Sequence, residues 1–332
     1  MLGIGNCGGP LMMRLYFIRG GKRIWLSCFL QTAGWPIILI PLLVTYTRRH
    51  HTTPFFMKPR VLAAASVIGV LIGLDNYLYA TGVAKLPVST SALIVATQLA
   101  FTSTFAFLIV KQKFTAYSVN AVVLLTVGAV VLGIHSSGDR PRGESKGEYL
   151  LGFFMTLGAA ALYGFIQPLV ELTYLKAKQT VNYSLVLQMQ MVICFFATGF
   201  CTVAMLINKD FQAIPREAKA YELGERKYYV VLCLSPIIWQ CFFLGVIGVI
   251  FYASALLSGI MITVTLPLTE ILGVIFYHEN FQAEKGISLF LSLWGFLSYF
   301  YGQKINHNNK NNSSKCDDPT AENELTRQVT DP

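Results

Sequence analysis

The chain has 332 residues, of which 54% are hydrophobic and 13% charged, with a formal net charge of +9. A soluble protein carries about 25% charged residues, so this chain lacks the polar surface to stay in water, and a soluble globular class is excluded. Its surplus of Lys and Arg then belongs to loops beside anionic headgroups, and no nucleic-acid partner is expected.

Apolar stretches run from end to end, at 1–17, 25–47, 61–83, 87–110, 115–135, 149–171, 183–207, 229–253, 255–277 and 286–303. A helix needs about 20 apolar residues to cross the hydrocarbon core. The expected fold is therefore all-α: a polytopic membrane protein of about ten transmembrane helices embedded in the lipid bilayer. Residues 1–17 are short for a span and show no cleavable signal peptide. The front of the first helix is expected to be truncated, as in an incomplete gene model or isoform. Connectors are short and basic, except a Gly- and Ser-rich linker at 136–148 and an amphipathic stretch at 208–228. The tail from 304 to 332 is Asn-rich and polar, the composition of a disordered segment. Thirteen basic residues fall on one side of this topology and twelve on the other, so the positive-inside rule does not orient it.

The two halves resemble each other. Pro10, Leu11 and Tyr16 of the first span align with Pro168, Leu169 and Tyr174 of the sixth. Gln112, Phe114 and Ala116 after the fourth span align with Glu279, Phe281 and Ala283 after the ninth. Five spans per half is an odd number, so the halves, 1–135 and 149–303, are read as inverted repeats. Inverted repeats with prolines breaking matched helices are the pattern of secondary transporters, whose binding sites lie near the midplane.

Polar groups within the spans mark where that site would lie, because lipid rejects them unless they face protein or a water-filled cavity. Asp75, Asn76 and Tyr79 share a face of the third span, and Ser91, Gln98, Thr102 and Phe105 share one on the fourth. Tyr163, Gln167, Glu171 and Tyr174 form a stripe on the sixth, where Pro168 frees the carbonyl of Gly164. The ninth carries Thr263, Pro267 and Glu270. The seventh carries Gln188 and Gln190, and the eighth Trp239 and Gln240. An amide side chain can pair with the adjacent donor and acceptor of a heterocycle, and an indole can stack on its face. The candidate substrate-binding residues are accordingly Asn76, Tyr79, Gln98, Tyr163, Gln190 and Trp239. Candidates for a coupling proton are Glu270, Glu171 and Asp75, each of which could instead be a partnered structural acid. No metal-ligand set, nucleotide-binding loop or catalytic triad is present, and no cofactor is expected.

The runs GNCGGPLMMRLYF from residue 5, LDNYLYATGVAKLPVSTSALIVATQLAFTSTFAFLIVKQKFT at 74–115, LYGFIQPLVELTY at 162–174 and GIMITVTLPLTEILGVIFYHENF at 259–281 resemble the plant purine permeases of the drug/metabolite transporter superfamily. The resemblance covers roughly residues 3–303. It implies ten helices as inverted five-helix repeats, cytosolic termini, residence in the plasma membrane, and proton-coupled uptake of adenine, cytokinins or related purine derivatives. The chain departs from the family at Gln31, and in part at Gln188, where relatives carry Glu. Other readings are a carrier of an alkaloid or vitamin-like heterocycle, a truncated non-transporting isoform, and an intramembrane enzyme using Asp75 and Glu270 as a carboxylate pair. Transport without chemistry, hence no enzymatic activity, is the expectation.

Overall fold

The computed structural model describes residues 1–48, 57–85, 94–95, 97–112, 114–134, 146–177, 182–277, 286–287, 290–291, 293–302 and 304–305. The protein is an all-α, polytopic membrane protein, and no strand occurs among the described residues. Its helices are α1 (Leu2–Ile18), α2 (Ile24–Thr32), α3 (Pro36–Arg48) and α4 (Pro59–Lys85). Then come α5 (Gln98–Phe105), extended by a π-helical turn at Ala106–Val110, and α6 (Ala116–Ile134). The second half holds α7 (Lys146–Leu175), α8 (Tyr183–Ile207), the short α9 (Asp210–Ala220), α10 (Glu225–Tyr252) and α11 (Ala255–Tyr277). The described residues 293–302 are helical as well. Among the described residues, six segments are long and apolar enough to span a membrane: 24–44, 59–85, 150–175, 183–207, 225–252 and 255–273.

The stretch 25–47, expected as one span, is broken into α2 and α3. Pro36 opens α3, where its missing N–H costs nothing, and it cannot continue the hydrogen-bond ladder of α2. The break also leaves room for a neighbour. A Cβ added to Gly34 would lie 2.4 Å from the Pro236 carbonyl oxygen of α10, so only a residue without a side chain fits there.

Burial runs opposite to a soluble protein. Ile40, Phe154, Leu206 and Phe276 face outward, each more than 60% exposed, as a lipid-facing surface requires. Gln31, Gln167, Gln190 and Gln240 are all buried. α1 packs on α10 and α11, while α4 packs on α7 and α8 and α5 packs on α7. At one end of the bundle α9 folds across the α1–α2 turn. The Glu217 carboxylate accepts hydrogen bonds from the hydroxyls of Tyr16 and Tyr228 and from the Lys22 amide. Arg23 pairs with Asp210 at 3.3 Å and lies 3.9 Å from Glu217. The turn is tight: Gly20 has φ +102°, and a Cβ on Gly21 would strike the Tyr16 ring.

Candidate functional site

The helices enclose a cavity whose empty space, counting its open mouth, is about 630 Å³, concave and largely apolar as small-molecule sites are. α4 supplies Asp75, Asn76 and Tyr79, which fall on one side because Tyr79 lies four positions after Asp75 and three after Asn76. From α5 comes Gln98, with Val95 just upstream. α7 supplies Tyr163 and the small residues Ala159 and Ala160, which leave the space open. The opposite wall is aromatic and aliphatic: Trp239, Phe242 and Phe243 of α10, with Ile262 and Leu266 of α11. Asn6 and Pro10 of α1 and Gln31 of α2 complete it.

The aromatic wall is itself organised. The rings of Tyr163 and Phe242 stack with centroids 6.2 Å apart and planes at 25°. Trp239 stands edge-on to Phe242, at 5.7 Å and 89°. Glycines on α1 allow this close approach, since a Cβ on Gly9 would lie 2.8 Å from Trp239 Cε2. Asn6 is anchored to α11, its Nδ2 donating to the Ile262 carbonyl at 3.0 Å and to the Thr265 hydroxyl.

The polar wall carries what the rest of the interior avoids. Gln31 Nε2, Asp75 Oδ1 and Asn76 Nδ2 are buried polar atoms with no hydrogen-bond partner in the protein. A buried polar atom left unpaired costs about 1–3 kcal/mol, and such atoms are rare in native interiors. Three of them on one cavity wall are explained if they address what enters the cavity.

Six of the residues expected from sequence thus meet in one place: Asp75, Asn76, Tyr79, Gln98, Tyr163 and Trp239. Gln190 stands apart. Its Nε2 contacts Cys194 Sγ at 3.0 Å, and it lines a smaller apolar void behind Tyr163 and Phe243. Glu171 Oε2 accepts the Ala255 amide at 2.6 Å, capping the start of α11 away from the cavity lining. Gln167 ties helices together: its Oε1 accepts from the Thr102 hydroxyl at 3.1 Å, and its Nε2 donates to Ser258 at 3.5 Å. Ser91, the tail from residue 306, the 136–145 part of the linker and the Glu270 side chain lie outside the described residues. Asn6, Phe242 and Phe243 were not legible as site residues. An Asn four residues before a helix-breaking Pro was the available signal for the first, while the two phenylalanines look like ordinary packing. Among the described residues no group of three or more His, Cys, Asp or Glu could hold a metal.

A polytopic helical bundle with a mid-span cavity that is polar on one side and aromatic on the other has the makings of a membrane carrier. Comparison with known proteins places it. The family described as purine nucleobase transmembrane transport matches residues 1–309. Purine permease 3 of Arabidopsis thaliana is 56% identical over 339 residues, covering 100% of this chain and 97% of that protein. Purine permease 2 of the same plant is 56% identical over 320 residues, covering 91% and 89% of the two chains. Purine permease 21 is 33% identical, with 96% and 82% covered. The chain belongs to the purine permease family, and is a membrane transporter, not an enzyme. A protein crystal structure with 15% sequence identity superposes at a TM-score of 0.62 over 89% of this chain and 94% of the other, a likeness of fold.

Proposed function

We propose that this protein is a secondary active transporter that takes up adenine, cytokinins or related purine derivatives together with a proton. In this reading it works at the plasma membrane with both termini cytosolic, by alternating access between two inverted five-helix halves. The observation that carries the reading is the two-sided cavity. Asn76 and Gln98 face it with amides suited to the edge of a heterocycle. Trp239 offers the face of an indole, and Tyr79 and Tyr163 close the sides.

Three acids were candidates for the coupling proton. Asp75 lines the cavity with an unpaired oxygen, whereas Glu171 is committed to the Ala255 amide. This favours Asp75 as the group whose protonation and substrate occupancy are linked, with Glu270 the remaining candidate. The pairing of helices supports the two-half mechanism. α1 lies on α10 and α11 as α7 lies on α4 and α5, so each half's first span sits against the other half's third and fourth.

The test is accumulation of labelled adenine in yeast lacking its own purine uptake, at acid and at neutral external pH, with and without a protonophore. Accumulation that is stronger in acid and collapses with the protonophore is the expected result. No accumulation by protein shown to be at the cell surface overturns the purine assignment. Competition by alkaloids or vitamin-like heterocycles would then identify the cargo class.

A further inference from the structure

We propose that Gln31 is a substrate-reading residue that acts with Asp75 and Asn76 as a three-point contact for the edge of the ring. The inference rests on the purine-carrier reading above and adds a residue to it. Six buried glutamines, Gln31, Gln98, Gln167, Gln188, Gln190 and Gln240, lie in the spans; Gln98 lines the cavity and Gln188 does not, and the surroundings of the other four separate them. The amides of Gln167 and Gln190 have partners in the protein. Gln240 has none, but it does not line the cavity. Gln31 alone of the four both lines the cavity and holds an amide nitrogen with no protein partner.

Its position is fixed from behind. The Trp25 ring of α2 stacks on Tyr77 of α4 at 4.2 Å, nearly parallel, and Cys28 Sγ contacts the Asn76 carbonyl at 3.4 Å. One turn further along α2, Thr32 receives the Thr198 hydroxyl of α8 at 3.1 Å. Gln31 is held between these anchors while its Nε2 is left without a partner in the protein. The three orphaned atoms are two N–H donors, from Gln31 and Asn76, and one carboxyl oxygen, from Asp75. The matching ligand edge presents two acceptors and an N–H. An amino group flanked by two ring nitrogens, as the 6-amino group of adenine lies between N1 and N7, supplies that pattern, and a hydrocarbon ring does not. Gln31 Nε2 donates to one ring nitrogen and Asn76 Nδ2 to the other.

The experiment pairs a protein change with an atom-by-atom change in the substrate. Uptake of adenine and of its 1-deaza, 3-deaza and 7-deaza analogues is measured for the wild type, Gln31→Met and the isosteric Gln31→Glu, per carrier at the cell surface. Gln31→Met is expected to raise the KM for adenine about tenfold, the scale of one lost hydrogen bond that leaves its partner unpaired. For the wild type, two of the deaza analogues, each lacking a contacted nitrogen, show a similar loss. For Gln31→Met, one of those two shows no further loss, because the nitrogen it lacks is the one Gln31 addressed. If Gln31→Met fails to reach the surface, Gln31→Glu keeps the shape, replaces the amide nitrogen by an oxygen, and is expected to lose sensitivity to the same analogue. Equal penalties on adenine and all three analogues, or an unchanged adenine KM, would overturn the proposal and leave the purine-carrier reading standing. A wild type that takes up none of these bases would overturn both.

Discussion

The seam between α1 and α10 allows a graded test of what Trp239 does. A Cβ on Gly5 would lie 2.3 Å from the backbone nitrogen of Phe242 and 2.5 Å from its Cα. Backbone cannot step aside, so Gly5→Ala must push the two helices apart by roughly 1 Å, with an overpacking cost of about 1–3 kcal/mol. At Gly9 the obstacle is a side chain. An added methyl would sit 2.8 Å from Trp239 Cε2 and 3.0 Å from Cδ2 and Cζ2. Restoring ordinary contact near 3.4 Å moves the indole by about 0.6 Å and leaves the helices in place. Base stacking on an aromatic ring is worth about 1–3 kcal/mol. Misplacing the ring should forfeit about 1 kcal/mol of that, or about fivefold in KM. The assay is adenine uptake normalised to surface protein, with thermal unfolding of each detergent-purified variant. Gly5→Ala is expected to lower the melting temperature, and Gly9→Ala to raise KM with near-normal melting. A Gly9→Ala carrier with wild-type KM, together with a Trp239→Ala carrier that is merely unstable, would refute a stacking role for the indole.

Other expectations follow from the same geometry. Gln98→Ala should raise the KM for adenine about tenfold, while Gln190→Leu should leave it unchanged because that amide is occupied by Cys194; parallel losses in both would make Gln98 structural too. Asp75→Asn should abolish accumulation driven by a proton gradient yet preserve exchange of labelled for unlabelled purine; retained gradient-driven accumulation would move the proton site to Glu270. Removing the Glu217 carboxylate leaves Tyr16, Tyr228 and the Lys22 amide without their shared acceptor. Glu217→Ala should therefore destabilise the protein by about 2–4 kcal/mol, read as a lowered melting temperature, with no change in KM.

The legible part of this protein was the part that lipid constrains. Apolar run length anticipated α4, α7, α8, α10 and α11, because each span must satisfy its own backbone and expose hydrocarbon. The same physics made Asp75, Asn76 and Gln98 conspicuous, since a polar group in a span needs a reason to be there. What could not be read was which polar groups find partners. Gln190 and Gln98 look alike in sequence, and only the fold sets one beside Cys194 and the other on the cavity. Glu171 resembles a buried proton carrier until α11 is seen to start against it. Pro36 was a local signal for the break at Ala33–Trp35, but the passage of the α10 backbone against Gly34 is a long-range contact that no local pattern announces. Phe242 and Phe243 were silent for the opposite reason, because an aromatic in an apolar helix is the default.

The proposed duplication gives the cavity's asymmetry a physical sense. Gly82 of α4 meets Thr156 of α7, and Gly245 of α10 meets Leu2 of α1, so each half's third span touches the other half's first at a glycine. Aligning those two glycines aligns Asn76 with Trp239 and Tyr79 with Phe242, and all four line the cavity. The register that matches Phe114 with Phe281 matches Val95 with Ile262 and Gln98 with Thr265. Three of these four pairs lie wholly on the cavity wall. In the fourth, Thr265 is instead hydrogen-bonded to Asn6 of α1, which does line it. Tyr79 with Phe242 and Val95 with Ile262 keep their kind, while Asn76 against Trp239 differs; in the proposed reading the first half supplies an edge-reading amide where the second supplies a stacking indole. A flat ligand held by its edge on one half and by its face on the other is fully gripped only while both halves close around it. Rocking one half against the other would then release the ring by separating two kinds of contact, neither of which needs to be strong alone.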